Sequence, residues 1–289
     1  MPDWIAELTT WYSGAARDLP WRRPGTSPYA VLVSEVMLQQ TPVARVVPAY
    51  LAWLERWPDP ASLAADSPGE AVRMWGRLGY PRRALRLHEA ATSMVSRHGG
   101  AVPSSYDELL ALPGVGSYTA AAIASFAFSG RHAVLDTNVR RVLARAVSGQ
   151  EQPAPHLTAA ERGIAEALVP DEPALAARWA VAVMELGALV CIARHPRCTA
   201  CPLVELCAWQ SNGQPVYDGP RRSPQGFAGT DRQVRGLLLA VLRDAPAAVP
   251  SAALDAVWSE TEQRGRALAG LIDDGLVVCL DDGTFALPG

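Results

Sequence analysis

The chain has 289 residues, enough for one large domain or two to three small ones, and a formal net charge of −3. It begins without a signal-peptide pattern, and no apolar run reaches the roughly 18 residues of a membrane span, so we expect a cytoplasmic protein with no membrane partner. All 26 basic residues are arginines, and because arginine keeps its proton and forms no Schiff base, the composition excludes any mechanism that needs a nucleophilic lysine.

The first predicted elements are helices, and one of them carries a single acidic residue. We predict helices over residues 3–14 and 30–40, and the second contains Glu35 among apolar neighbours. A carboxyl group in apolar surroundings has a raised pKa and can act as a general acid at neutral pH. Ser34, Gln39 and Gln40 show that this helix also has a polar face, so an exposed position for Glu35 is an equal alternative.

The next segment is helical and is divided by turn residues. Ser67 and Glu70 have the spacing of a capping box, with a proline at the first helical position. The predicted helices of this segment cover residues 44–57, 71–78 and 82–98.

A helical hairpin follows at residues 105–128. A proline and two glycines separate a short capped helix from an alanine-rich one. Gly114 and Gly116 permit a tight turn with positive φ, and the N–H groups beside them suit one phosphate of a nucleic acid backbone. Asp136 follows as a lone carboxylate after an apolar run. An ordinary helical hairpin with a surface aspartate is the alternative interpretation.

The pattern stays helical up to residue 209, without a convincing strand. Helices are predicted over residues 138–148 and 173–190, and another begins at a cap formed by Thr158. In the helix over residues 173–190, Glu185 interrupts an apolar run. The first 209 residues therefore predict an all-α fold.

Four of the five cysteines lie close together, at Cys191, Cys198, Cys201 and Cys207. Disulfides are not expected in an intracellular chain, so the four thiols indicate a metal site, either Zn²⁺ or an iron–sulfur cluster, with free thiols as the remaining alternative. Structural zinc sites usually show two short cysteine pairs, whereas this loop has one. The fifth cysteine, Cys279, lies in an apolar run and is expected in the core.

The C-terminal part has a different pattern. Residues 210–230 are rich in Gly, Pro and Ser and predict a linker. Three helices (residues 231–243, 251–258 and 261–274) and a β-hairpin (residues 276–287) then indicate a small winged-helix-like module. This module holds five arginines and nine acidic residues, which favours a packing or partner role over DNA reading.

Arginine groups in the rest of the chain permit a phosphate-binding face. They are Arg82, Arg83 and Arg86, Arg140 and Arg141, and Arg194 and Arg197.

Several of these segments resemble the MutY-type adenine DNA glycosylases, which belong to the helix–hairpin–helix (endonuclease III) superfamily. The matches, in chain order, are SEVMLQQT at residues 34–41, LGY at 78–80, LPGVG at 112–116, Leu135-Asp136 with Asn138-Val139, and the C-x6-C-x2-C-x5-C loop. The resemblance covers residues 4–209. It implies a six-helix barrel lobe, a cluster lobe and the flipped base bound between them. The implied divisions are residues 1–28 and 134–209 for the cluster lobe, 29–133 for the barrel lobe with the helix–hairpin–helix, 210–230 for the linker and 231–289 for the winged-helix-like module.

The resemblance also implies a mechanism for removing adenine that is mispaired with 8-oxoguanine or guanine. Glu35 is the acid that protonates adenine, and Asp136 stabilises the oxocarbenium-like sugar. Tyr118 and Asn138 hold the sugar and the catalytic carboxylate. In related bifunctional glycosylases a lysine occupies the Tyr118 position, so the tyrosine predicts a monofunctional, hydrolytic enzyme.

Binding residues are implied in the same way. Trp21, Arg22 and Glu185 match positions that enclose adenine, and Gln39, Gln40 and Tyr80 match positions beside the opposing base. Gly114 and Gly116 match the phosphate site, and Cys191, Cys198, Cys201 and Cys207 match the ligands of a [4Fe–4S] cluster. The expected partner is double-stranded DNA with A:8-oxoguanine or A:G mispairs, bound by a monomer associated with the nucleoid.

The chain departs from the family in its C-terminal part. Many members carry a MutT-like domain that reads 8-oxoguanine, and residues 231–289 are too short for that domain and patterned differently.

Two alternatives to an adenine glycosylase stay open: a pyrimidine-mismatch DNA glycosylase of the same fold, and a non-catalytic, cluster-containing DNA-binding regulator. The glutamate at position 35 argues against the first, and the presence of both carboxylates argues against the second.

Overall fold

The computed structural model describes residues 4–219 and 226–289, and the chain is mostly helical, as predicted. Ahead of the predicted linker the helices are α1 (Trp4–Ala15), α2 (Pro28–Leu38), α3 (Val43–Arg56), α4 (Pro60–Ala65), α5 (Pro68–Trp75), α6 (Arg82–His98), α7 (Tyr106–Leu110), α8 (Ser117–Phe128), α9 (Thr137–Ala146), α10 (Ala159–Leu168), α11 (Pro173–Leu189) and α12 (Ala208–Ser211). None of the described helices has both the length and the apolar character needed to cross a membrane.

The helix starts follow the predicted caps. The side chains of Ser67, Ser105 and Thr158 accept hydrogen bonds from the backbone N–H three residues ahead. The short helix α4 was not predicted, although Asp59 caps it in the same way and Pro60 occupies its first position.

Residues 231–289 form three helices and a hairpin, as predicted. The helices are α13 (Asp231–Asp244), α14 (Ser251–Asp255) and α15 (Thr261–Asp273), and the strands are β1 (Val278–Cys279) and β2 (Phe285–Ala286). The strands pair antiparallel, with Val278 opposite Ala286. The prediction for Cys279 is wrong: its side chain is exposed, because the apolar run leaves the core after Val277.

The chain packs as two compact units. The first contains Met1–Val31, Ser104–Ala111 and Val115–Arg221, and the second contains Leu32–Pro103, Leu112–Gly114 and Arg222–Gly289. The lobe boundaries implied by the family resemblance stay a prediction. Residues 220–225 of the predicted linker lie outside the described residues.

Each unit has its own apolar core. In the first, α1, α9 and α11 bury Leu8, Val142 and Leu186 against one another. In the second, α6 packs on α4 and α5, and the rings of Trp53 and Trp75 meet edge to face at 5.7 Å.

Candidate active site

Glu35 is buried, which decides between the two interpretations of its helix. Its exposed fraction is 5%, and every residue from Tyr29 to Met37 is buried. Ser34, which suggested an exposed face, is also fully buried. Glu35 therefore lies on a buried stretch of α2.

Beyond α2 the chain turns sharply at Gln39 and Gln40. Gln40 has a φ of +53°, in the left-handed region that non-glycine residues rarely occupy. Arg83 of α6 fastens this turn, because its guanidinium lies within hydrogen-bonding distance of several surrounding oxygens. At 2.6–3.0 Å these acceptors are the carbonyls of Val36, Met37, Gln39 and Gly79 and the hydroxyl of Thr41.

Tyr80 lies at the surface and not in the core. Half of its surface is exposed, and its φ is +49°. The guanidinium of Arg83 lies 5.5 Å from the Tyr80 ring and 5.1 Å from the Trp75 ring. Burial lowers the pKa of Arg83 to about 10, so it stays charged at neutral pH. One arginine thus holds both the Gln39–Gln40 turn and the base of the Tyr80 side chain.

The two hairpin glycines differ in conformation. Gly114 has a φ of +76°, and a Cβ there would lie 2.6 Å from Cβ of Arg86. Gly116, in contrast, is extended with a φ of −95° and caps α8 without a side chain. The prediction of positive φ is therefore right for Gly114 and wrong for Gly116. Gly116 starts the helix from the ordinary β region, as N-cap residues do.

Asp136 is the N-cap residue of α9. Its carboxylate accepts hydrogen bonds from the Val139 N–H at 2.6 Å and from Asn138 Nδ2 at 2.9 Å. Burial raises the pKa of Asp136, although these two donors and the charge of Arg141 act in the opposite direction. The carboxylate is thus held in one orientation by the helix it starts.

Asn138 is itself held by Arg141, which lies one turn further along α9 and also reaches α11. Arg141 donates to Asn138 Oδ1 at 2.8 Å, to the Gly187 carbonyl at 2.6 Å and to the Cys191 carbonyl at 2.7 Å. A Cβ at Gly187 would lie 2.7 Å from Cβ of Asn138, so only glycine permits this close approach of α9 and α11. Hydrogen bonds therefore connect the cysteine loop to Asp136.

Glu185 lies on α11 with no exposed surface and is fully paired. Its Oε1 accepts from the backbone N–H and Nε of Arg17, and its Oε2 accepts from Nη2 of Arg17 and of Arg22, at 2.6–3.0 Å. Burial would raise the pKa of Glu185, but these arginines lower it to about 2. Sequence reasoning missed Arg17, because its partner lies 168 residues away along the chain.

Arg22 and Trp21 lie beside this carboxylate. Trp21 is 8% exposed, and both residues belong to a short 3₁₀ turn, Pro20–Arg22. Nη1 of Arg22 is buried and has no hydrogen-bond partner among the described residues. A buried unpaired donor of this kind costs free energy unless a ligand supplies the acceptor.

Tyr118 stands in the first turn of α8 and is partly buried. It packs in a cluster with Val134 and Met184, the near neighbours of Asp136 and Glu185 in sequence. A pocket lies beside it, lined also by Tyr106 and His132.

The four cysteines of the loop line one pocket, and none forms a disulfide. No three His, Cys, Asp or Glu side chains in the described ranges converge tightly enough for a single metal ion. A single zinc ion needs all its sulfurs about 2.3 Å away, whereas each cysteine of a cubic cluster binds a different iron. The four thiols around this one apolar pocket supply the donor set that an iron–sulfur cluster needs.

A buried arginine supports this pocket. Arg145 is 1% exposed, lies 3.5 Å from the Cys191 sulfur, donates to the Ile192 carbonyl at 2.8 Å and stacks over Trp209 at 4.9 Å. Burial raises the pKa of Cys201 to about 11, so a metal group must displace the thiol proton when it binds.

The predicted arginine face is only partly available to phosphates. Arg83 and Arg141 are buried and hold backbone carbonyls, which excludes them. The side chains of Arg82, Arg86 and Arg140 pair with acidic residues. Arg194 and Arg197 of the cysteine loop are exposed.

Comparisons with known proteins agree on one family. A model of the HhH-GPD superfamily of base excision DNA repair proteins matches residues 33–166. The adenine DNA glycosylase of Mycobacterium tuberculosis (strain ATCC 25618 / H37Rv) is 52% identical over 283 residues, covering 98% of this chain and 92% of that protein. The corresponding protein of Mycolicibacterium smegmatis is 54% identical over 284 residues, covering 98% and 95%.

Similarity to more distant proteins is confined to part of the chain. The human adenine DNA glycosylase is 44% identical over 209 residues, which cover 69% of this chain and 38% of the human protein. The solved structure of a thermostable thymine-DNA glycosylase is 28% identical with a TM-score of 0.65, covering 72% of this chain and 95% of that one. The mycobacterial similarity, in contrast, includes the C-terminal module.

Proposed function

Because the chain belongs to the adenine DNA glycosylases of the HhH-GPD base excision repair superfamily, we propose that it hydrolyses the N-glycosidic bond of adenine mispaired with 8-oxoguanine or guanine. It acts on double-stranded DNA as a monomer. Since its substrate is genomic DNA, we place it at the nucleoid, in the cytoplasm.

The observation that carries the proposal is the different setting of two carboxyl groups. Glu35 is 5% exposed on a helix whose neighbouring residues are buried, whereas Asp136 accepts two N–H hydrogen bonds at a helix N-terminus. Burial disfavours a charged carboxylate and so suits Glu35 to be the acid that protonates adenine as it leaves, a step worth roughly 10²–10⁴-fold. At Asp136 the N–H donors and the charge of Arg141 counteract the effect of burial on the pKa, which suits stabilisation of the positive sugar.

Adenine recognition is assigned to the Trp21–Arg22–Glu185 group. Glu185 already accepts four N–H donors, so its main role is to orient Arg22 and Arg17. The unpaired Nη1 of Arg22 is then the donor offered to a ring nitrogen of adenine. Trp21 supplies an apolar surface for the base.

Recognition of the opposing base is assigned to the turn at Gln39 and Gln40 and to Tyr80. Tyr80 enters the duplex beside the opposing base and fills the gap left by the flipped adenine. The proposal is supported by its exposure and by the restraint that Arg83 places on both segments.

Phosphate binding is assigned to the hairpin. Gly114 and Gly116 are both exposed, and the N-terminus of α8 offers backbone N–H groups to one phosphate of the bound strand.

The reaction is monofunctional. Tyr118 occupies the position of the Schiff-base lysine of the bifunctional enzymes, and the chain has no lysine to replace it. Water therefore attacks the sugar, and the DNA strand stays intact. Tyr118 and Asn138 position the sugar and the Asp136 carboxylate.

Cys191, Cys198, Cys201 and Cys207 would hold a [4Fe–4S] cluster. The cluster, when bound, supplies a covalent cross-link that fixes the loop. Exposed Arg194 and Arg197 of that loop then face the DNA backbone.

Release of free adenine under single-turnover conditions tests this proposal. Duplexes with adenine opposite 8-oxoguanine, guanine or thymine would be compared at equal enzyme excess, with chromatographic detection of the free base. We expect release from A:8-oxoguanine to be fastest, A:G to be slower and A:T to be negligible. Equal rates on A:8-oxoguanine and A:T would refute the proposed specificity.

A further inference from the structure

The turn that carries Tyr80 is held in an unfavourable backbone conformation. Gly76, Gly79 and Tyr80 all have positive φ, at +54°, +84° and +49°. For a tyrosine the left-handed region is unfavourable, and such conformations persist only when the surroundings impose them. The contacts that impose this one decide how firmly Tyr80 is presented.

Part of this restraint comes from helices that precede the C-terminal module, namely α3, α5 and α6. The Gly79 carbonyl accepts hydrogen bonds from Trp75 Nε1 and from Arg83, both at 3.0 Å. Arg45 of α3 donates to the Arg77 carbonyl. These contacts fix the second half of the turn.

The first half is held by the C-terminal module. Gly76 ends α5, and its carbonyl accepts a hydrogen bond from Nη1 of Arg243, in the last turn of α13. Among the described residues, Arg243 is the side chain of the C-terminal module that donates to this carbonyl. A charged donor on the last carbonyls of a helix also interacts favourably with the helix dipole.

The arrangement is reciprocal. Arg73, in the last turn of α5, donates to the backbone carbonyls at the end of α13, at 3.4 Å from Leu242 and 3.0 Å from Ala245, and also to that of Arg243. Each of the two helices therefore has its C-terminus capped by an arginine of the other. Such cross-capping links the position of α13 to the point where the turn begins.

Two further contacts hold the module on either side of the turn. The Gly69 N–H donates to the Pro288 carbonyl at 2.8 Å, and a Cβ at Gly69 would lie 2.3 Å from that oxygen. Asp274, after α15, pairs with Arg82 at 3.1 Å, two residues beyond Tyr80, and also with Arg235. The acidic module thus meets basic side chains on α5 and α6.

We propose that the C-terminal module is a brace for the Gly76–Tyr80 turn and that Arg243 is a positioning residue for Tyr80. This inference rests on the proposed function, in which Tyr80 enters the duplex beside the opposing base. The module gives this chain a means of controlling how firmly mispaired DNA is held, without contacting the DNA itself.

A double-mutant cycle in the full chain tests the brace. The variants are Arg243→Ala, Tyr80→Ala and the two combined. Binding is measured on a duplex with 2′-fluoro-2′-deoxyadenosine, which resists cleavage, opposite 8-oxoguanine. A 2-aminopurine beside the 8-oxoguanine reports unstacking by its fluorescence.

We expect Arg243→Ala to weaken binding about tenfold, equivalent to about 1.4 kcal/mol, and to reduce the fluorescence change. In the Tyr80→Ala background the same substitution should have no further effect, because Arg243 acts through Tyr80. Arg243→Lys retains a charged donor and should bind within about threefold of wild type.

Arg264→Ala is the matched control. Arg264 belongs to the same module but pairs with Asp255 at 2.9 Å and contacts Trp258, both within the module. We expect this variant to lose thermal stability comparably and to bind DNA like wild type. Should Arg243→Ala fail to fold, Gly69→Ala replaces it, because the added Cβ displaces Pro288 while leaving both arginines intact.

Wild-type affinity in Arg243→Ala, or losses that multiply in the double variant, would overturn the brace. So would an equal loss of affinity in Arg264→Ala. The proposed function fails separately, if the wild-type chain releases no adenine from the cleavable duplex.

Discussion

At the residue scale, the chemistry depends on how each carboxyl group is surrounded. Glu35 is buried on α2, Asp136 is held by N–H donors at a helix N-terminus, and Glu185 is held between two arginines. The same functional group is therefore suited to three tasks: proton donation, charge stabilisation and the orientation of neighbouring side chains.

Replacing Asp136 by asparagine tests its role directly. The asparagine side chain would keep an oxygen that accepts from the Val139 N–H, so the cap on α9 and the fold should survive. We expect adenine release from Asp136→Asn to fall by about 10²–10³-fold or more, with duplex affinity retained, because the negative charge is lost. Single-turnover release and duplex binding would be measured together.

The control is Asp171→Asn, at a fully exposed position, which should behave as wild type. Substantial turnover by Asp136→Asn would remove Asp136 from its proposed role.

Glu185 predicts a pH-dependent stability. Its pKa in the folded state is about 2, below the value of about 4.3 expected in the unfolded chain. The carboxylate therefore contributes stability above about pH 4.5, and this contribution is lost as the pH falls through about 2. The difference between these two pKa values corresponds to about 3 kcal/mol, so Glu185→Gln should lower the free energy of unfolding by about that amount at pH 7.

Urea unfolding followed by tryptophan fluorescence measures this effect. The difference between wild type and Glu185→Gln should shrink as the pH is lowered from 5 to 3. Glu166→Gln, at an exposed position of α10, serves as the control and should change little. A difference that stays constant with pH would show that the loss is one of packing and not of charge.

At the element scale, short segments with unusual backbone conformation carry most of the proposed binding residues. The turn after α2, the turn after α5 and the hairpin before α8 all contain positive φ angles. Each is fastened by an arginine of α6: Arg83 holds the first two, and Arg86 packs against Gly114 of the third. Helix α6 is therefore the element that organises the proposed DNA-binding turns of its unit.

The hairpin offers a matched pair of substitutions. Gly114→Ala places a Cβ at positive φ and 2.6 Å from Cβ of Arg86, so we expect a loss of about 2–4 kcal/mol in the free energy of unfolding. Gly116→Ala meets no atom within 4 Å at an ordinary φ, and its cost should stay under about 1 kcal/mol. Urea denaturation of both variants checks this. Equal losses would mean that the turn does not require left-handed backbone at Gly114.

At the scale of the whole molecule, helices and their caps could be predicted from local sequence, whereas long-range partners could not. Capping residues act within one turn, so Ser67, Ser105 and Thr158 located three helix starts. Arg17 pairs with a residue 168 positions away, and nothing in the local pattern distinguishes it from a surface arginine.

The arginines show the same limit of prediction from local sequence. Composition indicated a basic face, but Arg83, Arg141 and Arg145 are buried and hold backbone carbonyls. Burial of a charged group depends on which carbonyls the fold leaves without helical partners, and this is a property of tertiary structure. The docking of the C-terminal module through Arg73 and Arg243 was unpredictable for the same reason.

The cysteine loop makes a prediction for the purified protein. We expect about four iron atoms per chain and a brown colour, since the four cysteines line one pocket and have the spacing of the cluster loop in the glycosylases that the chain resembles. Cys198→Ser should lose iron and the visible absorbance. Cys279→Ser, at an exposed cysteine outside the loop, should keep both. Colourless wild-type protein with one zinc per chain would contradict the cluster assignment.

The most direct test of the central claim is strand cleavage of end-labelled duplexes after a single turnover, with and without hot alkali. The substrates would carry A:8-oxoguanine, A:G, T:G and U:G. The account predicts cleavage of the adenine-containing strand alone, and only after alkali, because the enzyme removes the base and leaves the sugar–phosphate chain intact. Cleavage at T or U, cleavage without alkali, or no cleavage by protein with its full iron content would contradict it.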